Sequence, residues 1–329
     1  LIDDGALQVA DVFDAKLPPT DELARVSVEH CRAGVEGATV GRLVLMDGDQ
    51  PLKRWWLVAP RQLRSLAQPP RVVFMLTRYP ARLKVTDLTG WRLRGPKATL
   101  AVLARFRRSL HRVVGFAGRE ETSRGWIVRR VRDPHYSSAH SRDRVRHRDE
   151  LGLPQDKVLV GIFGTVGERK NGPLILDAIK QSGLDALLVL AGGVEEEVHA
   201  WIAGLDASDR ALLFVRDEFL DNDVLDQFVA AADVVPLALT NNGPSGIMGK
   251  AQAAGVPVVT TGSVVRAREV EATGTGVACD FTAESIAAAL RTAVEGDFTG
   301  SALDHVTPEE FGRTLLGVDE QGRPYERNR

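Results

Sequence analysis

The chain has 329 residues, enough for two α/β domains of roughly 150 residues each, with an ordinary globular balance of 44% hydrophobic and 26% charged residues. No apolar run reaches the ~18 residues needed to span a bilayer, so no integral membrane segment is expected. Two cysteines, Cys31 and Cys279, lie far apart, which argues against a disulfide framework or a cysteine zinc site and fits a reducing cytosol. Charge is uneven, with 28 Lys+Arg against 17 Asp+Glu in residues 1–150 and 14 against 27 in the remainder. The basic half could face an anionic partner, but 34 arginines against 8 lysines also look like a composition bias.

The first residue is Leu1, with no basic-then-apolar leader, so a start trimmed from a longer chain is expected. Residues 1–20 are polar and end in LPPT, which suggests a tail. A weak helical pattern covers 21–33, a short strand lies in GRLVLMDGD (41–49), and helical spacing of Leu52, Trp55, Leu63 and Leu66 marks 52–67. RVVFMLT (71–77) is the clearest strand of this half; a helix at 97–109 and strands at 113–118 and 126–131 follow. The polar stretch 132–150 is expected to join two domains, and its histidines His135, His140 and His147 are spaced as solvated linker residues rather than as a zinc pair.

The pattern then sharpens. Strands are predicted at 157–164, 186–193, 211–215, 232–239, 255–262 and 276–280, with helices at 171–182, 194–205, 222–232, 245–254 and 283–294. Strand–helix alternation without hairpin dipeptides implies a doubly wound parallel sheet, in which ligands bind where strand ends run into loops. The expected division is 1–135, a linker at 136–150, a second domain at 151–300 and a returning tail at 301–329.

Two loops then carry the chemistry. In GTVGERKN (164–171), Gly164 and Gly167 permit tight turns, Thr165 follows the first glycine, and Lys170 supplies a cation. The loop matches neither the Walker nor the GxGxxG pattern, and a plain solvated turn is the competing reading. In TNNGPSGIMGK (240–250), Asn242, Gly243 and Pro244 make a turn and Ser245 is placed to cap the helix that begins near Gly246. Free N–H groups at such a terminus suit a phosphate, and Lys250 would add charge if it turned toward the loop.

These residues resemble the donor half of nucleotide-sugar-dependent GT-B glycosyltransferases of the retaining group 1 type. The spacing Gly164 to Lys170, the pair in LVLAGG, Phe228 before AADVVPL (231–237), and GVPVV (255–259) carry the likeness, over about 151–295. The N-terminal half is looser, and the loop LTRYPAR would put Arg78 on the acceptor side. The resemblance implies two Rossmann-like domains, the first incomplete. It also implies transfer of a sugar to an acceptor hydroxyl with retention, no cofactor, no metal, and a glycan, lipid-linked or small-molecule acceptor.

The departures are specific. The family's loop arginine stands where this chain has Thr165, and its two glutamates, which meet sugar and ribose, stand where it has Asn242 and Lys250. Lys170, Asn242 and Lys250 are therefore the candidate catalytic residues, and Gly164, Thr165, Lys170, Gly243, Ser245 and Gly246 the candidate phosphate binders. A degenerate GT-B protein that binds nucleotide or glycan and partners an active subunit is the alternative. SGIMGK also resembles the phosphate segment of phosphorylase-like GT-B enzymes. Nucleic acid is not expected, because the basic residues do not interleave with aromatics. A cytoplasmic protein is expected, with peripheral contact to anionic lipid left open by Trp55 and Trp56 beside Lys53 and Arg54.

Overall fold

The computed structural model describes residues 20–33, 40–49, 51–52, 55, 63–77, 95–96, 98–103, 111–119, 128–240, 245–298, 306–319 and 321. The chain divides into two compact units: Leu1–Ala117 with Glu121–Arg132 and Phe311–Arg329, and Gly118–Glu120 with Asp133–Glu310.

The first unit holds helix α1 (Thr20–Ala33) and a sheet of β1 (Arg42–Leu45), β2 (Arg71–Leu76), β3 (His111–Ala117) and β4 (Arg129–Arg132), in that order and all parallel. Strand side chains alternate between faces, and β2 uses both. Val72, Phe74 and Leu76 pack with Ala24, Val28, Leu52, Trp55 and Leu63, whereas Val73 and Met75 pack with Val114, Val131 and Leu315. Burial on both sides explains the unbroken apolar run that made β2 legible. Trp55, which sequence left as partly core, is 1% exposed and sits edge-on to Phe74 at 5.6 Å. Trp56, Lys53 and Arg54 lie outside the described residues.

In the second unit, β5 (Val158–Phe163), β6 (Ala186–Ala191) and β7 (Leu213–Arg216) run parallel, as do β8 (Val235–Ala238), β9 (Val258–Thr261) and β10 (Gly276–Ala278). A parallel bridge from Val160 to Val234 and the bond from Gly161 N to Val234 O (3.0 Å) join the two sets. The resulting order is β7-β6-β5-β8-β9-β10. The chain winds outward from β5, then returns to β8 and winds the other way, so the switch point lies between β5 and β8.

Helices cover both faces. On one, α3 (Gly172–Ser182) and α9 (Ala283–Glu295) bury Ile175, Leu176, Ile179, Ile286 and Leu290, with α4 (Glu196–Gly204) beside them. Pro173 opens α3 and left-handed Gly183 (φ 71°) closes it; Thr282 Oγ1 caps α9 through Ser285 N at 3.2 Å. The short α5 (Ala207–Arg210) precedes β7. On the other face, α6 (Asn222–Ala231) and α7 (Gly246–Ala254) bury Phe228, Val229, Met248, Ala251 and Ala254.

Two helices depart from expectation, and a third gives the returning tail its form. The stretch 136–150, expected to be a linker, carries a 3-10 turn at Ser141–Asp143 and helix α2 (Arg144–Leu151) within the second unit. Helix α8 (Val264–Thr273) was not expected, and its buried positions are Arg266, Glu269 and Val270. Helix α10 (Pro308–Leu316) lies in the segment expected to be a returning tail, and its Phe311 and Leu315 pack in the first unit's core.

Gly192 shows why the loops around the switch point are glycine-rich. Its φ is 130°, and a Cβ there would collide with the Gly164 carbonyl. Gly192→Ala is expected to destabilise the protein by about 1–3 kcal/mol, read from a lower urea midpoint; an unchanged midpoint would mean that the loops part freely.

Candidate functional site

The two loops singled out from sequence meet at the switch point. Loop 164–171 leaves β5 through Gly164 (φ 78°) and is fastened to the next loop by Val166 N to Gly193 O (2.9 Å) and Glu195 N to Val166 O (3.0 Å). Lys170 closes a 3-10 turn (Glu168–Lys170) and its ammonium turns back to donate to the Phe163 carbonyl at the end of β5. A Cβ placed on Gly164 would come within 3.8 Å of Lys170 Nζ and 3.9 Å of Ile247 Cδ1. The cation of one loop and the first turn of α7 thus border the same glycine.

Asn171 completes the link. It adopts the left-handed conformation (φ 51°), and its Nδ2 donates to the Ala238 carbonyl at the end of β8 at 2.6 Å. This residue crosses the switch point, yet in sequence it is only an asparagine before a Gly-Pro helix start. Glu195 was also missed. Its carboxylate lies against Gly167, where a Cβ would strike it.

Electrostatics single out Lys170. Burial pushes its pKa down from 10.5 to about 8, Arg169 pushes the same way, and Glu195 opposes both. A desolvated ammonium bonded to a neutral carbonyl favours an arriving anion, because the anion supplies the solvation that burial removed.

Ser245 stands at the N-cap position of α7 with extended backbone (φ −129°, ψ 125°), as expected, but its hydroxyl makes no capping bond. Among the described residues no side chain caps the early amides of α7, so they are available to a ligand there. No described atom lies within 4 Å of a Cβ built on Gly246, so this end of the helix is open among the described residues.

Lys250 behaves differently from the expectation that it would reinforce the phosphate loop. Its Nζ donates to Asp226 Oδ1 at 2.5 Å and lies 5.8 Å from the Tyr136 ring centroid. Asp226 is fully buried and also accepts from Ser138 N at 2.8 Å. Opposite charge in a desolvated place holds the lysine on α6 and the 136–138 segment, away from loop 164–171. Asn242, Gly243 and Arg78 fall outside the described residues, and Thr165 is exposed on its loop.

A cavity of about 590 Å³ lined by His140, Arg144, Asp233, Pro257 and Phe298 lies elsewhere. Asp233 and Pro257 precede β8 and β9, so it opens where strands begin. Lys170 and the first amides of α7, at the strand ends, define the candidate site instead. Among the described residues no cluster of three His, Cys, Asp or Glu is arranged for a metal, and no helix is long and apolar enough to cross a membrane.

Two parallel-sheet units, the second with a glycine-lined switch point bordered by Lys170 and the start of α7, match the GT-B class of fold. The family model for glycosyl transferases group 1 matches residues 143–305, which is most of the second unit. Among solved structures, the chain is similar to Anabaena HepE in complex with UDP-glucose, at 16% identity over 90% of this chain and 80% of that one, with a TM-score of 0.61. It is similar to sucrose-phosphate synthase from Thermosynechococcus elongatus at 17% identity, covering 92% and 77%, with a TM-score of 0.55. WaaG, a glycosyltransferase involved in lipopolysaccharide biosynthesis, shares 16% identity over 85% and 86%, with a TM-score of 0.55. At these identities the likeness is one of fold. No curated protein matches the chain by sequence.

Proposed function

We propose that the protein transfers a sugar from a nucleoside-diphosphate donor to an acceptor hydroxyl, with retention of configuration and without a required metal ion. One observation carries this reading: Lys170 Nζ and the first turn of α7 border the same glycine at the switch point. The diphosphate sits there, between Gly164, Thr165 and Lys170 on one side and Gly243, Ser245 and Gly246 on the other. As the bond from the sugar's anomeric carbon to the diphosphate oxygen breaks, negative charge grows on the leaving group. Lys170 and the α7 amides stabilise that charge in place. The acceptor oxygen forms the new bond to the anomeric carbon and its proton passes to a donor phosphate oxygen, so no carboxylate base is needed. Asn242 occupies the family's sugar-side glutamate position and supplies a neutral contact. Arg78 remains the acceptor-side candidate. Lys250 orders α7 against α6 rather than touching phosphate.

A thermal-shift screen with UDP, GDP, ADP, dTDP, their sugars and free phosphate tests the donor class. One diphosphate is expected to raise the midpoint, since a ligand at a hundred times its Kd adds about 2.7 kcal/mol. EDTA should leave transfer unchanged, and NMR of the product should show the donor's anomeric configuration. No shift with any nucleotide would overturn the reading.

A degenerate GT-B binding subunit is the second reading, favoured by Thr165, Asn242 and a Lys250 engaged with Asp226 in place of the family's charged residues. It predicts nucleotide binding with neither hydrolysis nor transfer. The phosphorylase-like alternative loses support from the same ion pair, because it needs that lysine free for phosphate.

A further inference from the structure

The carbonyls of Leu239, just after β8, and Ser245, just before α7, are each held by a buried arginine. At the first, Arg266 of α8 donates through Nη2 to the Leu239 carbonyl at 2.9 Å and to the Thr261 carbonyl at 3.2 Å. At the second, Arg119 Nη2 donates to the Ser245 carbonyl at 3.1 Å. Arg119 is itself gripped by Glu269 Oε1 through Nη1 at 2.9 Å and by Asp133 through Nη2. The side chains of Arg119 and Glu269 are both 0% exposed. Glu269 sits one turn after Arg266 on α8, so a single helix anchors both carbonyls.

The α7 helix makes room for this contact. The residue facing the guanidinium is Gly249, where a Cβ would collide with Arg119. Gly249 N also donates to the Ser245 carbonyl, at 3.3 Å, so Arg119 binds the same oxygen that starts the helix. A fully buried ion pair is weak evidence for stability, because desolvation offsets most of its attraction. What it supplies is geometry, a fixed place for one carbonyl.

We propose that Arg119, held by Glu269, is the positioning residue that sets where α7 begins and so aims its first amides at the donor diphosphate. This rests on the donor-site reading above, and the test separates the two. The first measurement is hydrogen exchange in Arg119→Met and in Gly249→Ala, which keeps every charge but displaces the guanidinium. Faster exchange is expected in peptides covering 245–250, with α3 and α6 unchanged. The second is binding of UDP, GDP, ADP and dTDP, and of their parent nucleosides by ligand-observed NMR. The diphosphate that binds the wild type is expected to lose about tenfold to a hundredfold in affinity, and its nucleoside less than twofold.

Unchanged exchange at 245–250 in both variants would overturn the proposal. So would changed exchange with diphosphate affinity intact, or equal losses for diphosphate and nucleoside. If Arg119→Met does not fold, Gly249→Ala decides alone. A wild type that binds none of the four diphosphates, with the exchange change still confined to 245–250, defeats the donor reading and supports the hold of Arg119 on α7.

Discussion

Lys170→Ala is expected to lower transfer by one to two orders of magnitude, as loss of a single charge-stabilising donor does at other centres where negative charge develops. The reason lies in its surroundings: among the described residues its ammonium has the Phe163 carbonyl as its one hydrogen-bond acceptor, and it is partly desolvated at the end of β5. An ammonium so placed gains more from a phosphate oxygen than one in water does. The pH profile gives a second check. With a pKa of about 8 in the free protein, Lys170 is charged below that pH and neutral above it. Diphosphate affinity should therefore hold steady below pH 8 and fall roughly tenfold per unit above it. Lys170→Ala should abolish that slope. The ligand-free fold shows the opposite sign: because the folded pKa lies below 10.5, stability rises with pH between about 8 and 10.5 as the buried charge is lost. Transfer unchanged in Lys170→Ala, or a slope that survives the substitution, would remove this lysine from the site.

Asp233→Ala is expected to cost about 2–3 kcal/mol, between the loss at a surface ion pair and that at a fully buried one, because the carboxylate is only partly exposed and Arg148 is buried. One carboxylate here serves three donors: Arg144 Nη1 at 2.9 Å, Arg148 Nη2 at 2.6 Å and the Leu159 amide at 2.7 Å. The Arg148 side chain is 5% exposed and also donates to the Ala231 carbonyl at 3.0 Å. Without Asp233, two guanidiniums one turn apart on α2 face each other, and β5 loses a bond at its start. Burial already pushes the Arg144 pKa down, with Asp233 opposing and Arg148 adding to the fall, so the repulsion would grow. Urea unfolding should show a lower midpoint with unchanged slope. A loss under about 1 kcal/mol would mean that the network behaves as a surface ion pair.

Lys170 was legible because it lies in the short glycine-containing loop that leaves an apolar strand, and because its spacing from Gly164 resembles the group 1 donor loop. The α7 start was legible for a similar reason, since a turn of asparagine, glycine and proline before serine stops one element and begins the next. The orientation of Lys250 was not. Its partner Asp226 lies 24 residues away on α6, and nothing in the helix period distinguishes facing the loop from facing a neighbouring helix. Asn171 was missed because its bond to Ala238 joins positions 67 residues apart.

The sequence by itself determined what depends on neighbours along the chain. Apolar runs such as VLVGIF and VVFML report strands buried on both faces, and Ile175, Leu176 and Ile179 report the buried stripe of a helix. Glycines mark where the backbone turns at strand ends. Only the tertiary structure decided what depends on distant partners. Helices α2 and α8 escaped the sequence pattern because their inward positions carry Arg148, Arg266 and Glu269, charges whose burial makes sense only once Asp233, Arg119 and the carbonyl of Leu239 are beside them. Arg119 reaches Ser245 across 126 positions and Glu269 across 150. Apolar burial repeats with the local period of a strand or helix and so shows in the sequence, whereas an ion pair is a single contact between two points that folding alone brings together.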